Sequence, residues 1–146
     1  MRRVTYAMVF TSGGEETIGP DHVRAWSTAP SASIVSRVGP AGVETEFEQV
    51  EGGEAVFRSE VRFMGTTALD EWGTIELGEG NVLHFQTIGE GYVTQTATEG
   101  VGHGTIMWEI THGEGAFEGA TGLITSNFVA RADGVTDHQF GVVWLP

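Results

Sequence analysis

Residues Val82-Leu83-His84-Phe85-Gln86-Thr87-Ile88, then Gly89-Glu90-Gly91, then Tyr92-Val93-Thr94-Gln95-Thr96-Ala97-Thr98, set the pattern for the whole chain. Two short runs of β-branched and aromatic residues flank a glycine-rich connector. Glycine, Asn and Asp tolerate the positive φ of strand-reversing turns, so such a unit reads as two strands and a hairpin. The pattern repeats outward. Thr74–Leu77, Thr105–His112, Leu123–Ala132 and Asp137–Leu145 are further runs of this kind, separated by Gly78-Glu79-Gly80-Asn81, Glu99-Gly100-Val101-Gly102 and Asp133-Gly134. Glycine contributes 22 of 146 residues, about twice the usual share, as a chain of many tight turns requires.

Towards the N-terminus, Val43–Val50 and Ala55–Phe63 flank Glu51-Gly52-Gly53-Glu54, which reads as another hairpin. Their alternation places Glu44, Glu46 and Glu48 on one face, and Arg58, Glu60 and Arg62 on the outer face of the next strand. Glu44–Glu48 and Arg58–Arg62 are expected to pair across strands there. Val4–Phe10 and Ser33–Val38 read as strands, Thr11–Gly19 as a loop, and Asp21–Trp26 as one helical turn after Pro20. An apolar period of 3.6 residues persists nowhere for ten residues. The expectation is a single domain over residues 1–146, all-β, folded as an antiparallel up-and-down barrel of eight to ten strands. Closure removes the two edges that an open meander leaves as pairing templates. A sandwich with Greek-key crossovers is the alternative.

Composition narrows the function. With 20 acidic and 7 basic residues the formal net charge is −13, which repels phosphate backbones and anionic membranes alike. No run approaches the ~18 apolar residues of a membrane helix. Cysteine is absent, removing disulfides, thiol nucleophiles and thiolate metal sites. A cytoplasmic protein without a signal peptide is the default expectation. The five histidines (His22, His84, His103, His112 and His138) form no H-x-H or H-E-x-x-H motif, so no metal is assigned. His103 and His112, an odd number apart, fall on opposite faces if one regular strand joins them. No serine stands in a G-x-S-x-G elbow.

One segment is more specific. Ile110-Thr111-His112-Gly113-Glu114-Gly115-Ala116-Phe117-Glu118-Gly119-Ala120-Thr121-Gly122 reads as a strand ending in a glycine-rich corner, with Phe117 placed to plug a barrel end. It resembles the G-x-G-x-F-x-G-A-x-G element of allene oxide cyclase and dirigent barrels and of related bacterial barrel proteins, including spirotetronate cyclases. The resemblance spans roughly residues 73 to 145. It implies an eight-stranded barrel whose apolar pocket folds and cyclises a reactive polyene or epoxide. No catalytic residue carries over, since residues 1 to 60 offer no counterpart to the plant enzyme's polar groups.

Turning the more apolar face of each strand inward lines the lumen with Met8, Phe47, Phe57, Phe63, Phe85, Trp108, Ser126, Phe128, Phe140 and Trp144, while Trp26 lines or caps the mouth. Tyr6 and His138 are the candidate catalytic groups in that set, one donating a hydrogen bond to a carbonyl oxygen, the other exchanging a proton. A shift of one residue in register would instead bring in His84, Gln86, Gln95, Glu109 and Asn127, with His84 and Glu109 as an acid/base pair. The functional expectation is a cofactor-independent cyclase or isomerase acting on an apolar, polyketide- or lipid-like molecule of natural-product biosynthesis. The alternatives are a non-catalytic carrier or sensor of a hydrophobic small molecule and a filled barrel working through its surface. Homo-oligomers are compatible with each.

Overall fold

The structure, a computed structural model, describes residues 1–146 apart from the Ser12 side chain. Nine strands follow one another: β1 (Arg2–Gly19), β2 (His22–Gly39), β3 (Gly42–Met64), β4 (Ala68–Leu77), β5 (Val82–Thr87), β6 (Gly91–Gln95), β7 (Gly102–Glu114), β8 (Thr121–Arg131) and β9 (Gly134–Leu145). The only helical element among the described residues is a 3-10 turn at Gly115–Phe117. The strands form one sheet in the order β3-β2-β1-β9-β8-β7-β5-β4, and pairing of β3 with β4 closes it. The result is an antiparallel up-and-down barrel, and closure of a single sheet rules out the sandwich.

Its strand count has a physical subtlety. Both β5 and β6 pair antiparallel with β4 and with β7, so they run in the same direction and occupy one position of the ring. Gln86 faces Trp72 and Gly91 faces Leu69, so two extra residues are accommodated between them. Gly89-Glu90-Gly91 is therefore a kink within one strand position, where a hairpin was expected. Gly89, at φ 67°, supplies the local kink. The Thr87 hydroxyl repairs the ladder at the break by accepting from Glu71 N at 2.8 Å and donating to Glu71 O at 2.7 Å.

The other expected hairpin, Glu51-Gly52-Gly53-Glu54, is also internal to a strand. Val50 through Gly53 stand against Ser31 alone, between the pairs Pro30–Glu54 and Ala32–Gln49. Ser31 Oγ donates to Gly53 O at 2.6 Å. Beyond this bulge β2 and β3 continue as a two-stranded ribbon to a turn at Pro40-Ala41, largely exposed on both faces. The Glu44–Glu48 and Arg58–Arg62 segments thus lie on one strand and cannot pair with each other. Arg37 instead meets Glu46 at 3.0 Å, and Arg24 meets Glu60 at 3.6 Å. The expected loop at Thr11–Gly19 is the end of β1. The expected helical turn at Asp21–Trp26 is the start of β2, reached through Pro20-Asp21 with Asp21 at φ 55°.

Candidate functional site in the barrel interior

The interior has an aromatic part and a polar part. Phe10, Phe57, Phe85 and Trp108 are buried together. Phe57 stacks on Phe85 at 5.4 Å, and Trp108 lies 4.4 Å from Phe85 and 5.5 Å from Phe57, centroid to centroid. These contacts follow from alternation: Phe57, Phe85 and Trp108 sit at inward positions of β3, β5 and β7. The indole Nε1 of Trp108 is buried with no hydrogen-bond partner among the described residues.

The polar part holds two carboxyl groups. Glu71 of β4 follows Leu69 and precedes Gly73 and Ile75 on the inward face, and it is buried. Ser59 donates to its Oε1 at 2.6 Å. Burial pushes the Glu71 carboxyl up to about 8, opposed by the Ser59 bond and reinforced by the negative charges of Asp137 and Asp70. Asp137 of β9 accepts from Ser126 Oγ at 2.6 Å through Oδ1 and from Gln139 Nε2 at 2.8 Å through Oδ2. Burial also raises Asp137, against the lowering action of these bonds, the neighbouring His138 and a backbone bond from Asn127.

Tyr6 completes the cluster, donating to Gln139 Oε1 at 3.3 Å. Its ring lies over Gly141, where an added Cβ would come within 2.3 Å of Cε1. Desolvation first, and then the Asp137 charge, hold the phenol protonated well above its ordinary value. A chain of donors and acceptors thus runs Tyr6–Gln139–Asp137–Ser126. Both Asp137 oxygens accept, which suits the ionised form; Glu71 has one oxygen engaged, which suits a carboxylic acid with a proton to give.

The residues that the sequence turned inward lie on the inner wall on β1, β5, β7 and β8, only in part on β3, and not on β9. Tyr6, Met8 and Phe128 pack against the core, and Phe57, Phe85, Trp108 and Ser126 are buried within it. His84, Gln86 and Glu109 face outward, where Gln86 donates to Glu109 at 2.5 Å, so the alternative register is not adopted. On β9, however, Asp137, Gln139, Gly141, Val143 and Leu145 point inward. His138, Phe140 and Trp144 were expected in the lumen and stand on the outer wall, with Phe140 54% and Trp144 40% exposed. Phe47 was expected inside as well; it rides on the projecting ribbon, half exposed, with its ring 5.6 Å from His138. Phe63 lies at the rim, 40% exposed. Trp26 neither lines nor caps the mouth: it covers Gly13 and Gly14 from the outer face of the neighbouring strand.

Two hollows lie on the wall. One of about 460 Å³ sits at the kink and is lined by Asp70, Trp72, Gln86, Thr87, Gly89 and Glu90, with Met64 at its edge. The other, about 530 Å³, runs between Glu109, Leu123, Val142 and Trp144 on the outer face. Among the described residues no helix is long and apolar enough to cross a membrane.

The fold and interior together define an up-and-down antiparallel barrel whose inner wall carries an aromatic cluster and two carboxyl groups. No family model matches the sequence, and no curated protein matches it. Among solved structures, a pterocarpan synthase dirigent protein aligns over 99% of this chain and 89% of that chain, at 12% identity and a TM-score of 0.31.

Proposed function

We propose that the barrel interior is the reaction chamber of a cofactor-independent cyclase or isomerase acting on an apolar, polyketide- or lipid-like small molecule. The observation that carries this reading is a pair of carboxyl groups, buried Glu71 and part-buried Asp137, held in unequal hydrogen-bonding environments on the same inner wall as Phe57, Phe85 and Trp108. Such a pair divides naturally into acid and base. Glu71, with a pKa of about 8, gives its proton to a carbonyl, alkene or epoxide of the substrate. Asp137 takes a proton from carbon or hydroxyl as the new bond or double bond forms. No atoms are gained or lost overall, and proton exchange with solvent restores both groups.

Tyr6 acts through Gln139: its hydroxyl fixes the amide so that Nε2 points at Asp137. His138, on the outer wall, has no part in this scheme. The unpartnered Trp108 Nε1 offers a donor to a ligand oxygen, since a buried unpaired donor costs about 1–3 kcal/mol.

The test is turnover and binding of a panel of polyene epoxides and enones, followed by chromatography of the products. Glu71→Gln and Asp137→Asn should each lower turnover by about 10²–10⁴ while binding stays within a few-fold. Wild-type protein that binds these compounds without converting any supports the carrier reading, to which the aromatic lining and the Trp108 donor also lend themselves. Failure to bind any of them, or full turnover by both variants, overturns the proposal.

A further inference from the structure

A second group of chemistry-bearing side chains lies on the opposite surface of the wall. His84 of β5 stands directly across from His112 of β7, their rings stacked at 3.8 Å and 14°. His84 Nε2 is 2.5 Å from Glu114 Oε1. One nitrogen or oxygen from each of the three residues lies within 4.8 Å of the others.

The backbone explains how they meet. His84 pairs with His112 but Phe85 pairs with Ile110, leaving Thr111 as a bulge. Before the bulge the even-numbered residues of β7, up to Ile110, point inward; after it His112 and Glu114 point outward. Strict alternation would have turned both away from His84. The Thr111 hydroxyl donates to His84 O at 3.3 Å and lies 3.4 Å from His112 Nδ1. An Nδ1–H of His112 donating to that oxygen leaves Nε2 as the free lone pair, the arrangement of an outer partner that orients a ligating imidazole.

We propose that His84, His112 and Glu114 form a binding site for a late first-row divalent cation, zinc foremost. Two imidazoles and a carboxylate suit zinc, copper or nickel, whereas magnesium and calcium take all-oxygen sets. Two adjacent strands of a closed sheet fix the three Cα positions. The Glu114 side chain is 57% exposed, and His112 is exposed, so both rotate readily to converge on one ion. The net charge of −13 raises the local concentration of cations around the molecule. Three protein ligands leave a coordination position open to water or to a ligand group.

Tag-free full-length protein, titrated with Zn²⁺ against a chromophoric chelator, tests this directly. One equivalent should bind per chain, and Co²⁺ in its place should give visible d–d absorption. His84→Ala and His112→Ala should weaken binding by more than the ~10- to 100-fold typical of losing an outer partner, and Thr111→Val by about 10-fold. His103→Ala, on the same strand outside the cluster, should bind as wild type. Circular dichroism in chelator checks that each variant is folded. Absence of stoichiometric binding, or His112→Ala binding as wild type, overturns the proposal; the latter would leave His84 and Glu114 as a plain ion pair.

Discussion

Ser59 Oγ and Glu71 Oε1 lie 2.6 Å apart, the one hydrogen bond from a side chain that the buried glutamate receives among the described residues. It favours the ionised form and so works against the desolvation that raises Glu71. Ser59→Ala should move the Glu71 pKa further upward, by about one unit if the bond is of ordinary strength. Infrared difference titration of the protonated carboxyl stretch would read it. An unchanged titration would mean that the serine does not hold the charged form.

Stability should carry the signature of the same group. Folded Glu71 keeps its proton until about pH 8, whereas unfolded it releases it near 4.5. Between these values the native state binds more protons than the unfolded state, so stability falls as pH rises, by up to ~1.4 kcal/mol per pH unit. Below pH 4.5 and well above pH 8 this contribution is flat. Asp137, also raised by burial, acts with the same sign. Glu71→Gln should flatten the slope between pH 4.5 and 8, and above pH 8 it should be more stable than wild type. Denaturant midpoints across that range decide the matter.

Trp108 separates packing from polarity. Trp108→Ala removes a fully buried ring that touches Phe57 and Phe85 and should cost about 3–5 kcal/mol. Trp108→Phe keeps most of the packing and deletes the unpartnered N–H, so its cost should be under ~1.5 kcal/mol. Urea unfolding of the two variants gives both numbers. A ligand that accepts from Nε1 should lose affinity in the phenylalanine variant while stability holds.

Gly73 permits the close approach of β3 and β4 beside the Glu71 site. A Cβ there would stand 2.0 Å from the Arg58 carbonyl oxygen, and backbone cannot retreat as a side chain can. Gly73→Ala should therefore destabilise by about 1–3 kcal/mol or more. Thermal melting checks it, with Gly39→Ala in open space as the control.

The barrel was legible because its wall is built from repeated alternation and glycine-marked corners. Those marks do not tell a reversal from an in-line break: Gly89 and Gly52 relieve a bulged strand as readily as a turn, and only pairing with neighbours distinguishes them. The interior polar groups were hidden by a different effect. On β9 the outer residues Phe140, Val142 and Trp144 are greasier than the inner Asp137, Gln139 and Gly141, so a rule that turns apolar residues inward selects the wrong face. Glu71 could have been found from Leu69, Gly73 and Ile75, which share its parity. The His84–His112 contact was beyond any parity argument, because the bulge at Thr111 reverses parity between them.

Closing the ring by β1 on β9 sets Arg2 opposite Leu145. Contacts of such sequence separation place the fold among the slow ones, in the millisecond-to-second range, because most of the chain must be confined before the last pairing is gained. During synthesis, β1 and then each newly added strand remain open edges until β9 emerges to cover both β1 and β8. The final twelve-residue strand, which also carries Asp137, therefore acts as a folding checkpoint: a chain arrested before it lacks both a sealed sheet and the proposed base.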